Sequence, residues 1–181
     1  MNYKLDKLSN GAKLLFVPDK NSDVCTLMVF FGVGSRNENK NNNGISHFIE
    51  HLLFKGSAKR PHFLDLSKAL DGLGAEYNAF TAKDMTAYYI KFDKNKFNDA
   101  VDILSDMVRQ PIFNEQEIDQ ERGVIIQEIK MYEDNPSWYI DDVLEQSLFS
   151  GHELGSLIIG SRENIKTISA KTIRNYYKKY Y

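Results

Sequence analysis

Apolar residues change their spacing along this chain, and each change marks an element. Leu14 to Val17 is a short apolar block, entered by the tight-turn pair Asn10-Gly11 and ended by Pro18, which predicts a brief strand. Val24 to Val33 is a longer run rich in Val and Phe that closes on Gly32 and Gly34, and it predicts a second strand. Ser35 to Asn43 is polar and predicts a loop. The period then becomes helical: Ile45, Phe48, Ile49, Leu52 and Leu53 fall on one stripe. Asn41, Asn42 and Asn43 are N-cap candidates for that helix, and Gly56 is placed to stop it.

The remaining pattern alternates in the same way. Phe63 to Leu73 has helical spacing (Phe63, Leu66, Ala69, Leu70, Leu73) and stops at Gly72 and Gly74. Glu76–Thr81 and Met85–Phe92 read as a hairpin around Ala82-Lys83-Asp84. Lys96 to Val108 predicts an amphipathic helix with Phe97, Val101, Leu104 and Val108 inward, ended by Pro111. Asn114 is placed to cap a long helix to about Met131, with Glu115 and Glu117 in its first turn. Further helices are expected from Ser137 to about Phe149 and from Ser169 to Tyr181, with a loop over Gly151–Gly160. No internal repeat or linker divides the chain.

Composition narrows the class without choosing a function. At 181 residues, 42% hydrophobic and 27% charged, the chain has the profile of one globular domain with a sizeable core. A net charge of −2 argues against a nucleic-acid-binding surface. Cys25 is the only cysteine, which excludes an intrachain disulfide and a cysteine-based zinc site. The first ten residues carry acidic groups and no apolar run of signal-peptide length, and no stretch approaches the ~20 apolar residues of a membrane span. A cytoplasmic protein is the expectation.

The chemistry lies on the polar side of the helix that starts near Ile45. His47, Glu50 and His51 stand at i, i+3 and i+4, so two imidazoles and a carboxylate share one face. Imidazoles one turn apart can both reach a single Zn²⁺ at about 2.0–2.1 Å, and the carboxylate between them can take a proton from an activated water. This is the H-x-x-E-H arrangement. Phe54, one turn beyond His51, is a candidate wall of a substrate pocket. A third ligand is still needed. In the helix after Asn114, Glu121 and Glu128 are seven apart, on nearly the same side, flanked by Val124, Ile125 and Tyr132. Two carboxylates in an apolar stripe are costly to bury without a cation. Arg122 is adjacent in sequence but points roughly 100° away.

With these residues in place the chain resembles the M16 family of zinc metallopeptidases, the inverzincins, and most closely its bacterial processing-peptidase-like branch. That family's signature is H-x-x-E-H with a ligand Glu 76 residues further on, and 76 residues lie between His51 and Glu128. Gly34-Ser35-Arg36, Leu73 to Thr81 with Asp84 and Tyr88, Glu121-Arg122, and Glu133-Asp-Asn-Pro136 also look like family segments, so the similarity covers nearly the whole chain. Together with the element pattern, the resemblance implies an α+β domain, mainly antiparallel sheet with helices packed on one face. It implies His47, His51 and Glu128 as zinc ligands and Glu50 as general base. Glu121 would brace a ligating histidine, and Asn78 and Ala79 would line a strand edge that pairs with substrate.

The activity implied is zinc-dependent hydrolysis of peptides or unfolded polypeptide segments. The alternative is a non-catalytic binding or assembly subunit, and a purely structural zinc domain fits less well because three N/O ligands leave a position open. The resemblance further implies that residues 1–181 form a single zinc-bearing N-terminal domain, incomplete near its C-terminal end. A second homologous half or subunit, or a homodimer, would then close the site. His62 and His152 lie outside the constellation and are expected at the surface; Trp138 and the Tyr176–Tyr181 cluster are expected in the core or at an interface.

Overall fold

The sheet is three-stranded and antiparallel, in the order β3-β5-β4, from β3 (Val24–Phe31), β4 (Glu76–Thr81) and β5 (Thr86–Asp93). It belongs to a computed structural model that describes residues 2–181. A separate hairpin, β1 (Lys4–Lys7) with β2 (Lys13–Phe16), precedes it. The helices are α1 (Ile45–Leu52), α2 (Phe63–Gly72), α3 (Phe97–Arg109), α4 (Glu115–Glu133), α5 (Pro136–Leu148), α6 (Arg162–Thr167) and α7 (Ala170–Tyr180). The α+β class expected from the sequence is the one observed. No helix among the described residues is long and apolar enough to cross a membrane.

One face of the sheet carries the core. Cys25, Leu27, Val29 and Phe31 of β3, Tyr88, Ile90 and Phe92 of β5, and Tyr77 and Ala79 of β4 pack against helix side chains. The period-2 geometry of strands turns Val24 and Phe30 to the other side, where both are exposed. Helix α1 lies in the middle of this core. Eight residues are too few for a helix to hold by itself, so α1 depends on burial of Ile45, Phe48, Ile49, Leu52 and Leu53, all of them sealed from solvent. At about 1.5–3 kcal/mol for each large apolar side chain, that stripe fixes which face of α1 stays polar.

Several local expectations are corrected. No Asn caps α1: the N-cap is Gly44, in the left-handed region at φ 97, and the helix ends at Leu52, four residues before Gly56. In α3 the inward residues are Ala100, Ile103, Leu104, Met107 and Val108, whereas Phe97 is exposed and Val101 half-buried. Val124, counted in the apolar stripe of α4, is exposed. Strand β1 and helix α6 lie where no element was expected. A 3₁₀ turn (Ser35–Asn37) sits in the first polar loop and another (Glu153–Gly155) in the second. The caps at Asn114, Asn135 and Ser169 are side-chain caps that accept from Gln116, Ser137 and Thr172 amides.

Gly44 is where the chain is least forgiving. A Cβ there would stand 2.8 Å from the Ile159 carbonyl oxygen and 2.9 Å from Gly160 Cα, on a backbone that L-residues avoid. Gly44→Ala is expected to lower stability by at least ~2 kcal/mol, from backbone strain of about 1–3 kcal/mol plus the clash. In a protein of this size ~2 kcal/mol is a fall in Tm of roughly 4–8 °C. An unchanged melting temperature would mean that the 157–160 segment yields without cost.

Candidate metal centre

Helices α1 and α4 pack against each other, and their facing polar residues converge. His47 Nε2 and His51 Nε2 are 3.2 Å apart. Glu128 Oε2, from the C-terminal half of α4, lies 3.5 Å from His51 Nε2 and 3.8 Å from His47 Nε2. Among the described residues these three form the one group whose ligand atoms are close enough together to share a metal ion. A tetrahedral ion with bonds of about 2.0–2.1 Å needs ligand atoms roughly 3.3 Å apart. The observed triangle brackets that length, and two nitrogens with one oxygen suit zinc.

The two carboxylates of α4 have different surroundings. Glu121 is buried, and both its oxygens are engaged: Oε1 accepts from His51 Nδ1 at 2.8 Å and Oε2 pairs with Lys55 Nζ at 2.6 Å. Burial pushes its carboxyl up, but the bonds from His51 and Lys55 outweigh this and hold it below the usual carboxylate range. An ionised Glu121 only accepts, so the proton of His51 sits on Nδ1 and the Nε2 lone pair faces the triangle. Among the described residues Glu128 pairs only with the two imidazoles, and it is pushed upward by burial, against His51 and with Glu121. It is the carboxylate that a metal would relieve.

The histidines also differ. Burial and the neighbouring His51 depress His47 to about 3, against the pull of Glu121, so it is neutral near pH 7. Burial lowers His51 as well, but the bond to Glu121 and the charges of Glu121, Glu128 and Glu50 more than offset it, and its pKa is raised.

Glu50 stands beside the triangle. Its Oε2 accepts from Thr81 Oγ1 at 2.6 Å, which ties the carboxylate to the end of β4. Burial raises its pKa, with Thr81 and His51 opposing and Glu128 adding. Glu50 and His47 line a cleft of about 260 Å³ with Phe80, Thr81, Tyr132, Asp142, Ile158 and Ile159. Phe54 lines a separate hollow of about 190 Å³ with Phe63, Leu66, Leu70, Tyr77 and Asn78. Asn78 and Ala79 lie on β4, one of the two edge strands of the sheet, where the Ala79 amide donates to Asn78 Oδ1 at 2.8 Å.

His47, Glu50, His51, Glu121 and Glu128 are therefore brought together where α1 meets α4, whereas Phe54 and Asn78 line the separate hollow and Ala79 follows Asn78 on β4. Two participants were not anticipated. Lys55 is Glu121's cation; it lies in the turn just past the end of α1, where no helical period could have placed it. Thr81 holds Glu50 across a tertiary contact that no local pattern reveals. Arg122 is not a partner of Glu121: its guanidinium donates to the Ile165 and Ile168 carbonyls. His62 and His152 are exposed, as expected. Trp138 is also exposed, whereas Tyr176 is buried.

Comparison with known proteins shows the family. The chain is 36% identical over 172 residues to the uncharacterized zinc protease YmxG of Bacillus subtilis, covering 95% of this chain and 42% of that protein. It is 39% identical over 176 residues to the mitochondrial-processing peptidase subunit beta of Rattus norvegicus, covering 96% of this chain and 35% of that one. It thus spans between a third and somewhat over two fifths of these relatives' length. The crystal structure of a protease from Helicobacter pylori superimposes with a TM-score of 0.93 at 25% identity, over 99% of this chain and 43% of the other. Residues 13–162 match the family model described as insulinase, peptidase family M16, and the chain belongs to that family.

Proposed function

We propose that this chain carries the zinc site of an endopeptidase acting on peptides or unfolded polypeptide segments. The observation that carries the proposal is the triangle of His47 Nε2, His51 Nε2 and Glu128 Oε2 with a half-buried carboxylate, Glu50, next to it. The names of the relatives support it, two of those compared being a zinc protease and a processing peptidase subunit.

In this reading His47, His51 and Glu128 hold the metal and Glu121 keeps His51 in its ligating tautomer. Bound zinc supplies Lewis acidity, lowering the pKa of a water and polarising the scissile carbonyl. Glu50 does the proton work. Thr81 occupies Oε2, so Oε1 takes the proton from the attacking water and returns it to the leaving amine. Burial raises its pKa, the direction that makes a carboxylate a stronger base. Substrate adds as an extended strand to the β4 edge at Asn78 and Ala79, so that affinity comes largely from backbone pairing. To do so it displaces the Asn78 side chain from the Ala79 amide. The hollow lined by Phe54 receives an apolar substrate side chain.

The proposal includes a closing partner: a second homologous half or subunit, or a second copy of the chain. The ligating side chains are 12–25% exposed, and hydrolysis at a polar site gains from excluding bulk water. The expected result is about one zinc per chain by elemental analysis, with peptide hydrolysis by the full-length protein lost on chelation and restored by zinc. Hydrolysis indifferent to chelators, or a protein that takes up no zinc, overturns the reading.

A further inference from the structure

The two histidines are not held alike. His51 is gripped through Nδ1 by Glu121, which Lys55 holds in turn. His47 Nδ1 is buried and meets no hydrogen-bond partner among the described residues. Its ring direction therefore depends on packing and on where the first turn of α1 places its backbone.

That turn has no side chain of its own to cap it, because Gly44 occupies the cap. The Gly44 and Ser46 amides are taken by a carboxylate from outside the helix, and the Ile45 amide by the Asn42 carbonyl. Glu38, only 6% exposed, accepts from Ser46 N at 2.8 Å through Oε1, and from Gly44 N at 2.7 Å and Asn43 Nδ2 at 2.9 Å through Oε2. Asn43 Nδ2 also donates to the Leu157 carbonyl at 2.8 Å, and Asn164 Nδ2 donates to the Asn43 carbonyl at 3.2 Å. One carboxylate thus joins the start of α1, immediately before His47, to the segment whose Ile158 and Ile159 wall the cleft beside Glu50.

We infer that Glu38 is a positioning residue for His47, fixing the N-terminal turn of α1 and with it the direction in which Nε2 meets the metal. The inference rests on the zinc reading above. Glu38 meets three donors with two oxygens; glutamine offers one oxygen and turns an NH₂ group onto at least one N–H. A buried amide left unmatched is relieved by movement of the turn, and zinc ligation tolerates distance errors of only about 0.2 Å.

The test compares full-length parent and Glu38→Gln protein by zinc affinity, from competition with a chelator, and by the absorption spectrum of the cobalt(II) form. Asp106→Asn is the control. It disturbs another buried carboxylate, on α3, which accepts from Ser57 Oγ at 2.6 Å, Arg60 Nη1 at 2.9 Å and the Lys59 amide at 3.3 Å, none of them a residue of α1. Glu38→Gln should weaken zinc at least about tenfold, as loss of outer support to a ligand does, and should alter the cobalt spectrum. Asp106→Asn should lower Tm and leave both unchanged. A Glu38→Gln protein that melts lower but keeps parental affinity and spectrum makes Glu38 a helix cap only and overturns the inference. If that variant does not fold, Glu38→Asp keeps the carboxyl group but is one methylene short, and parental affinity there overturns it equally. A parent that binds no zinc overturns the zinc reading and this inference together; a parent that binds with unaffected Glu38 variants overturns only the inference.

Discussion

Glu50→Gln in the full-length protein should retain its zinc and lose peptide hydrolysis by about 10²- to 10⁴-fold, the range a positioned general base contributes. The amide keeps the shape of the carboxylate and can still accept from Thr81 Oγ1, so the end of β4 and the first turns of α1 stay where they are. What it cannot do is accept a proton on the second atom. Glu50 is outside the His47–His51–Glu128 triangle, which is why metal content should not change. Zinc and turnover measured on one sample separate the outcomes: zinc lost together with activity would make Glu50 a ligand, and parental turnover would place the base elsewhere.

The metal face of α1 was legible because two periods coincide there. The apolar stripe Ile45–Leu53 announces a buried helix, and the spacing of His47, Glu50 and His51 puts chemistry on the other side of it. The β4–β5 hairpin and the Asn114 cap were readable for similar local reasons. What stayed hidden was tertiary. Strand β1 is exposed along its whole length and so carries no alternation. Helix α6 has six residues and buries only Ile165, too little for a 3.6-residue period to register. Asn43 was the natural cap for α1 by residue type, but Glu38 reaches the amides first from outside the helix, and the Asn43 side chain bridges Glu38 to Leu157 instead. Phe97 shows the reverse failure, an aromatic on the helical period that lies outside the core.

Glu121 and Glu128 show the limit most clearly. Seven residues apart on one helix, they are equivalent to any periodicity argument, and only their partners distinguish them. Glu121 has spent both oxygens on His51 and Lys55; Glu128 aims Oε2 between two imidazole nitrogens. The roles predict an ordering. A zinc excess of about a thousand times Kd stabilises the folded parent by about 4 kcal/mol, a rise in Tm of roughly 8–16 °C at this chain length. Glu128→Gln removes a ligand and should abolish that rise. Glu121→Gln leaves all three ligand atoms in place but releases His51, so zinc should still raise Tm, with affinity lower by about 10- to 100-fold. Thermal melts of parent and both variants across a zinc titration give the comparison. If Glu121→Gln loses the zinc response while Glu128→Gln keeps it, the two carboxylates have exchanged roles, and α4 must turn on its axis to bring Glu121 to the metal.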